Sequence, residues 1–250
     1  MPEIVLYGVP GAWSLPSISP FVLKLDAWLR LAGTPYTVRR GNPRKAPRGK
    51  VPYARIDGVV LSDSQEILEH LAARLGDPVD GHLDAAGRAR GHVVRRMLEE
   101  GTMWAIVRDR WIEEPGWSVY APVFGRMFPS LLRPLLLWFV RNRTVRPMLH
   151  AQGTGRLPVE VMVANVASDL RAVATLLGDA PFLGGERPCT ADVTLLAVSW
   201  SLEASPADTA LRRVWSGEPA IVAHLQRMRA RLYPEPTSRE HGAEGPGGPQ

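Results

Sequence analysis

Hydrophobic periodicity changes once along this chain, at Gly76-Asp77-Pro78, and the change leaves few architectures open. Ahead of it, short apolar runs alternate with helical stretches. Ile4-Val5-Leu6-Tyr7 reads as a buried strand closed by the turn residues Gly8, Pro10 and Gly11. A helix follows Pro20, with Phe21, Leu25, Trp28, Leu29 and Ala32 at helical spacing and Gly33 as its stop. Pro35 to Val38 alternates like a second strand, and residues 41–50 form a loop rich in proline and arginine. Val51–Ile56 and Val59–Leu61 flank Asp57-Gly58, a pair suited to a type I′ hairpin turn. Ser62–Leu75 follows as a helix. This order predicts an α/β layer with a mixed four-stranded sheet over residues 1–77.

Beyond the break no strand pattern recurs. The spacing predicts helices over 84–113, over 128–150 (from Pro129, interrupted by Pro134), and over 158–178, 190–204, 208–216 and 218–232. Together they make an all-α second domain over 84–233. Residues 234–250 lack core-forming side chains and read as a disordered tail. The apolar run 128–140 has Arg133 inside it and falls short of the 20 or so residues that span a bilayer. It is expected to be a core helix. The other reading is a surface element in peripheral contact with a membrane, flanked by Arg141, Arg143 and Arg146.

Charge is unevenly placed. Residues 88–156 hold 12 basic and 5 acidic side chains, against 10 and 9 in 1–87 and 8 and 11 in 157–250. Arginine supplies all of the central excess, since the only lysines are Lys24, Lys45 and Lys50. Such a region attracts anions. No base-reading motif accompanies Arg141 to Arg146, so nucleic acid is not an expected partner. A single cysteine, Cys189, and histidines without HExxH or HxH spacing argue against a metal centre. The opening MPEIVLYG has no apolar run of signal-peptide length, so a cytoplasmic location is expected.

Three segments of the first half could carry chemistry. Ser19-Pro20 pairs an N-cap with a proline at the first helical position, leaving a hydroxyl and free N–H groups at the positive end of a helix. Val51-Pro52 precedes a strand, and a cis bond there would turn the Val51 N–H and C=O toward a peptide-like ligand. Ser62 and Gln65 read as a capping box, while Asp63 can pair an amine and Ser64 a carboxylate.

These residues resemble a glutathione transferase. The pieces SPFVLKLDAWLRLAGTPYTV, KVPYARIDG, LSDSQEILEHL and PFLGGERPCTADVTLLA carry the likeness, which spans residues 3–232. QGTGR points to the branch of failed-axon-connections and metaxin-like proteins. The resemblance implies a thioredoxin-like domain followed by a helical bundle, glutathione as substrate with no metal, and a homodimer as in many relatives. Val51 would then bond the cysteinyl part of glutathione through its backbone beside Pro52. Asp63 and Ser64 would hold its γ-glutamyl end, and Lys50 would meet the glycyl carboxylate.

Departures from the family pattern shape the expected mechanism. Glutaredoxin-like relatives carry CPFC where this chain has Ser19-Pro20-Phe21-Val22, which excludes dithiol exchange there. The opening PGAWSL resembles a bacterial PGACSL pattern, with Trp13 in place of the cysteine. Hydroxyls remain: Ser19 first, Ser14 second, Tyr7 third. The expectation is a serine-type enzyme joining glutathione thiolate to a small hydrophobic electrophile, with Trp104, Trp111, Trp117 and Phe124 as candidates for the pocket wall. A non-catalytic transferase-like module, acting in protein interaction or at a membrane surface, is the alternative. Cys189-Thr190-Ala191-Asp192 opens a core helix with Cys189 or Thr190 at its cap, a structural Asp192 and an inert Cys189 thiol.

Overall fold

The structure, a computed structural model, describes residues 2–234, so the tail expected beyond them lies outside the described residues. Four strands form one mixed sheet in the order β2-β1-β3-β4: β1 (Ile4–Gly8), β2 (Thr37–Arg40), β3 (Tyr53–Ile56) and β4 (Val59–Ser62). β1 is parallel to β2 and antiparallel to β3, which is antiparallel to β4. Asp57 and Gly58 have φ of 47° and 86°, both left-handed as the type I′ turn requires. β2 lies two residues later than its sequence pattern suggests, because Pro35 has no N–H for a ladder and pairing begins at Val5↔Thr37. All four β2 residues are exposed, so this edge strand has no buried face to leave an alternation in the sequence.

Helices α1 (Pro20–Leu31) and α2 (Ser64–Leu75) pack on the sheet and on each other, burying Val22, Leu25, Ile67 and Leu71 against Leu6, Ala54 and Ile56. The helix expected over 84–113 is present as α3 (Ala85–Met97), a π-helical turn (Leu98–Thr102) and α4 (Met103–Trp111). Next comes α5 (Glu114–Gly125), which the sequence pattern conceals. Pro115 and Gly116 look like breakers, yet Pro115 stands in the first turn, where no N–H is needed. Gly116 has a packing role: a Cβ there would come within 1.9 Å of the Asp109 carbonyl oxygen.

Residues 128–150 depart further from expectation. α6 (Arg133–Phe139) carries Pro134 in its first turn, so the proline starts this helix instead of interrupting it. A π-helical turn (Val140–Val145) leads into α7 (Arg146–Gln152). No residue of α6 is buried, and the core-helix expectation is overturned. Among the long helices α6 packs mainly against α5, and Leu137 joins the aromatic cluster there.

α8 (Val159–Leu177), α9 (Thr190–Glu203), α10 (Ala210–Ser216) and α11 (Pro219–Leu232) follow close to expectation. Cys189, not Thr190, occupies the N-cap of α9, and Asp192 reaches back to it. The fully buried Asp192 accepts the N–H groups of Leu183 (2.7 Å), Gly184 (3.1 Å) and Cys189 (2.8 Å), and His224 Nε2 lies 2.8 Å away. Its role is structural. Burial, then the Asp192 carboxylate, push the Cys189 thiol far above its ordinary pKa, which leaves it inert. One hydrophobic core runs through sheet and bundle alike, with α1 packed on α9 and the Trp28 indole donating to Thr190 Oγ1 at 3.1 Å.

Candidate functional site

Antiparallel pairing decides where the candidate residues meet. Tyr7 pairs with Tyr53, and Tyr53 with Ser62, so β1 and β4 end where β3 begins. The residues just beyond, Gly8, Val51-Pro52 and Asp63-Ser64, stand side by side at one edge, on strands about 4.8 Å apart. α1 begins at that edge too: Val22 packs on Gly8, where a Cβ would come within 2.6 Å of its side chain. Three strands span about 10 Å, the reach of an extended tripeptide at about 3.3–3.6 Å per residue.

Ser19 is the N-cap of α1, and its Oγ accepts the Val22 N–H at a long 3.5 Å. The side chain is half-buried, and its hydroxyl proton has no acceptor among the described residues. Ser17 holds the approach by donating to the Val9 carbonyl (2.8 Å) and receiving the Ser19 N–H (3.2 Å). Ser14 is held elsewhere, its hydroxyl accepting the Trp200 indole N–H of α9 at 3.3 Å. Tyr7 lies in β1, half-buried and stacked on Tyr53 at 4.5 Å.

The Val51-Pro52 bond is cis. Val51 is half-buried with its side chain toward Gly41, and neither its N–H nor its C=O has a hydrogen-bond partner among the described residues. Tyr53 fastens the loop beside it, its hydroxyl accepting the Asn42 N–H at 3.3 Å. Lys50 is exposed in that loop, near Arg48, which bonds Glu66 of α2 at 2.6 Å.

Asp63, not Ser62, caps α2. Its Oδ1 accepts the N–H of Gln65 at 2.8 Å and of Glu66 at 3.4 Å. The reason is a left-handed turn at Asp63 (φ 77°), which keeps Ser62 in the β4 ladder with its hydroxyl buried and unpaired. A non-glycine residue held there costs about 1–3 kcal/mol, a strain found mainly at ligand clamps and active sites. Ser64 is buried at the first helical position.

Two residues that sequence reasoning missed brace this edge. Lys24, buried in α1, donates to Gln65 Oε1 (2.9 Å) and to Glu99 Oε1 (2.6 Å), tying the start of α2 to the π-helical turn. Burial lowers its pKa and the Glu99 carboxylate opposes that shift. Arg110, buried in α4, donates to the carbonyls of Ile18 and Ser201, both at 2.9 Å, and its guanidinium lies 4.6 Å from the Tyr120 ring centre. Its place between Asp109 and Trp111, in the charged cluster Arg108-Asp109-Arg110 at the end of α4, gives no local sign of burial.

Of the four aromatic candidates, three come together. Phe124 stacks on Trp111 at 4.1 Å and Trp117 lies 5.8 Å from Trp111. With Tyr120 they pack on Ile18, next to Ser19, in a second apolar cluster. Trp104 takes no part in it. Trp13 joins instead, edge-on to Tyr120 at 5.0 Å, with φ of 54° and 43% of its surface exposed.

Residues 20–116 match the glutathione S-transferase N-terminal domain, and residues 166–228 the glutathione S-transferase C-terminal domain. This chain belongs to the glutathione S-transferase superfamily. It is similar to the isoprene-epoxide glutathione S-transferase of Rhodococcus sp. strain AD45, at 29% identity over 90% of this chain and 98% of that one. Failed axon connections of Drosophila melanogaster matches at 27% over 93% of this chain, and Metaxin-2 of Mus musculus at 21% over 68%. This chain spans 58% and 65% of those two relatives' lengths. The glutathione S-transferase of Methylobacterium radiotolerans JCM 2831, solved with glutathione sulfonate, shares the fold. Its TM-score is 0.60 at 16% identity, covering 92% of this chain and 91% of that one.

Proposed function

We propose that this glutathione transferase-like protein is an enzyme of the serine type, joining glutathione to a small hydrophobic electrophile. The observation that carries the reading is the N-cap hydroxyl of Ser19, its proton unclaimed, at the same sheet edge as the unpaired backbone of Val51 and the clamp at Asp63-Ser64. Glutathione lies across that edge. Its cysteinyl backbone pairs with Val51 beside Pro52, its α-amino and α-carboxyl groups meet Asp63 and Ser64, and Lys50 faces the glycyl carboxylate.

A thiol of ordinary pKa near 8.5 is only a few per cent ionised at neutral pH. Bringing it to about 6.5 requires roughly 2.7 kcal/mol of preference for the thiolate. A hydrogen bond donated by Ser19 supplies about 1.5–3 kcal/mol, and the α1 N-terminus adds to it. The proton leaves to water and the thiolate attacks an electrophilic carbon, forming the C–S bond as the leaving bond breaks. The relative that acts on isoprene epoxide supports an epoxide as the electrophile class. There the broken bond is C–O, and the resulting alkoxide takes a proton from water. The Trp111, Trp117, Phe124 and Trp13 cluster, packed on the loop before Ser19, supplies the apolar wall.

Calorimetric titration with glutathione and S-methylglutathione, alongside conjugation assays with a small epoxide, tests this. Binding of both ligands and formation of the thioether are expected. No heat with either ligand and no conjugate would leave the non-catalytic module as the reading.

A further inference from the structure

The segment between α5 and α8 carries an outward apolar face. Leu131, Leu135, Trp138 and Phe139 recur at helical spacing along α6 and the turn before it, and are 90%, 63%, 54% and 52% exposed. At about 200 Å² for each whole side chain they bare roughly 500 Å², toward the upper end for the largest patch of a monomer.

Arginines dominate the charged residues of the segment that carries this face. From Pro115 to Val159 the chain has six arginines and no aspartate or glutamate. Arg143 and Arg146 follow the stripe directly and are exposed. Arg141 lies 4.3 Å from the Trp117 ring centre, and burial and then the charge of Arg146 lower its pKa, with Glu114 only a distant counter-charge at 3.9 Å. Alongside opens a cavity of about 340 Å³ whose polar lining is Arg108, Asn142, Arg146 and His150. Of these, Arg108 already has a carboxylate, Glu113 at 2.7 Å.

We propose that this face docks on an anionic lipid surface. Leu135, Trp138 and Phe139 enter the boundary of headgroups and acyl chains, while Arg143 and Arg146 meet headgroup phosphates. Charge argues against a second copy of the chain as the occupant. A two-fold contact through this patch lays a predominantly cationic frame against itself, whereas a headgroup layer supplies anions. The apolar stripe is short and one-sided, which seats a protein on a bilayer, and no described helix is long and apolar enough to cross one. This docking does not depend on glutathione chemistry.

Co-flotation of the full chain with vesicles tests the proposal, comparing phosphatidylcholine alone with a mixture containing about one-third phosphatidylglycerol. Binding at least about tenfold stronger to the anionic vesicles is expected, weakening as salt rises. Arg143→Glu and the pair Leu135→Asp/Trp138→Ser should each weaken it about tenfold or more. Both sets of side chains are exposed, so the fold is kept, and thermal unfolding verifies that. Arg90→Glu, an exposed charge reversal on α3, should leave flotation close to the parent level. Equal or absent flotation with both vesicles, or flotation that the α6 variants do not change, overturns the proposal. So does a dimer in solution that Leu135→Asp/Trp138→Ser dissociates, since the patch would then serve self-association.

Discussion

Replacing Ser19 by alanine separates two roles that its position combines. As an N-cap its hydroxyl accepts one long bond, 3.5 Å from the Val22 N–H, so its removal should cost stability at the low end for caps, about 0.5 kcal/mol. As the donor to a glutathione thiolate the same hydroxyl is worth about 1.5–3 kcal/mol, or roughly one to two pK units. A bound thiol moved from about 6.5 to about 8 drops from roughly three-quarters ionised at pH 7 to roughly one-tenth, an eightfold or so loss of nucleophile. The ultraviolet absorbance of the bound thiolate reads that shift directly, and the pH profile of conjugation reads it kinetically. The rate deficit should close as pH rises above the new pKa, while affinity for S-methylglutathione stays near the parent value. A thiol titration identical to the parent's, or a deficit of the same size at every pH, refutes the assignment. So does a loss of several kcal/mol in urea unfolding, because the hydroxyl would then be chiefly structural.

Arg110→Met strips the donors from two carbonyls that α4 and the loop bury, at about 1–3 kcal/mol each. Urea unfolding should show a loss of about 3 kcal/mol, and KM for glutathione should rise as the loop before Ser19 loosens. Gly116→Ala pushes a methyl group to within 1.9 Å of the Asp109 carbonyl, forcing α5 away from α4. A loss of about 1–3 kcal/mol is expected, with a weakened near-ultraviolet signal from the Trp111–Phe124 stack. Burial pushes the Asp109 carboxyl up to about 6, against hydrogen bonding by Thr209 and the charge of Arg110. A carboxyl raised on folding favours the native state below its unfolded value, and that contribution is lost as pH rises through 4 to 6. Asp109→Asn should therefore flatten stability across that window and raise it at pH 8 by up to about 3 kcal/mol, as chemical unfolding at several pH values would show.

The legible parts of this molecule are those written in neighbouring residues. The Asp57-Gly58 turn, the helix opened by Ser19-Pro20 and the apolar stripe of α8 each follow from a few adjacent side chains. Local signals also misled. Pro134 read as a break because a proline inside a helix and one in its first turn look alike until the helix start is known. Ser62 read as the cap because nothing nearby announces the left-handed turn at Asp63. The run 128–140 read as core from its composition, yet α6 packs chiefly on α5 and buries no residue, and no local pattern records how few neighbours a helix will have.

By itself the sequence determined the strand and helix order of the first half, the two periodicities, the central excess of arginine and the absence of cysteine from residues 19–22, since each is a property of residue type and spacing. Tertiary structure decided the rest. It set the strand register that lays Gly8, Val51 and Asp63 along one edge, the reach of Lys24 and Arg110 from the helices, and the side of α6 left facing outward. Those outcomes depend on contacts between residues far apart in the chain, and the free energy of such contacts exists only once the chain has brought them together.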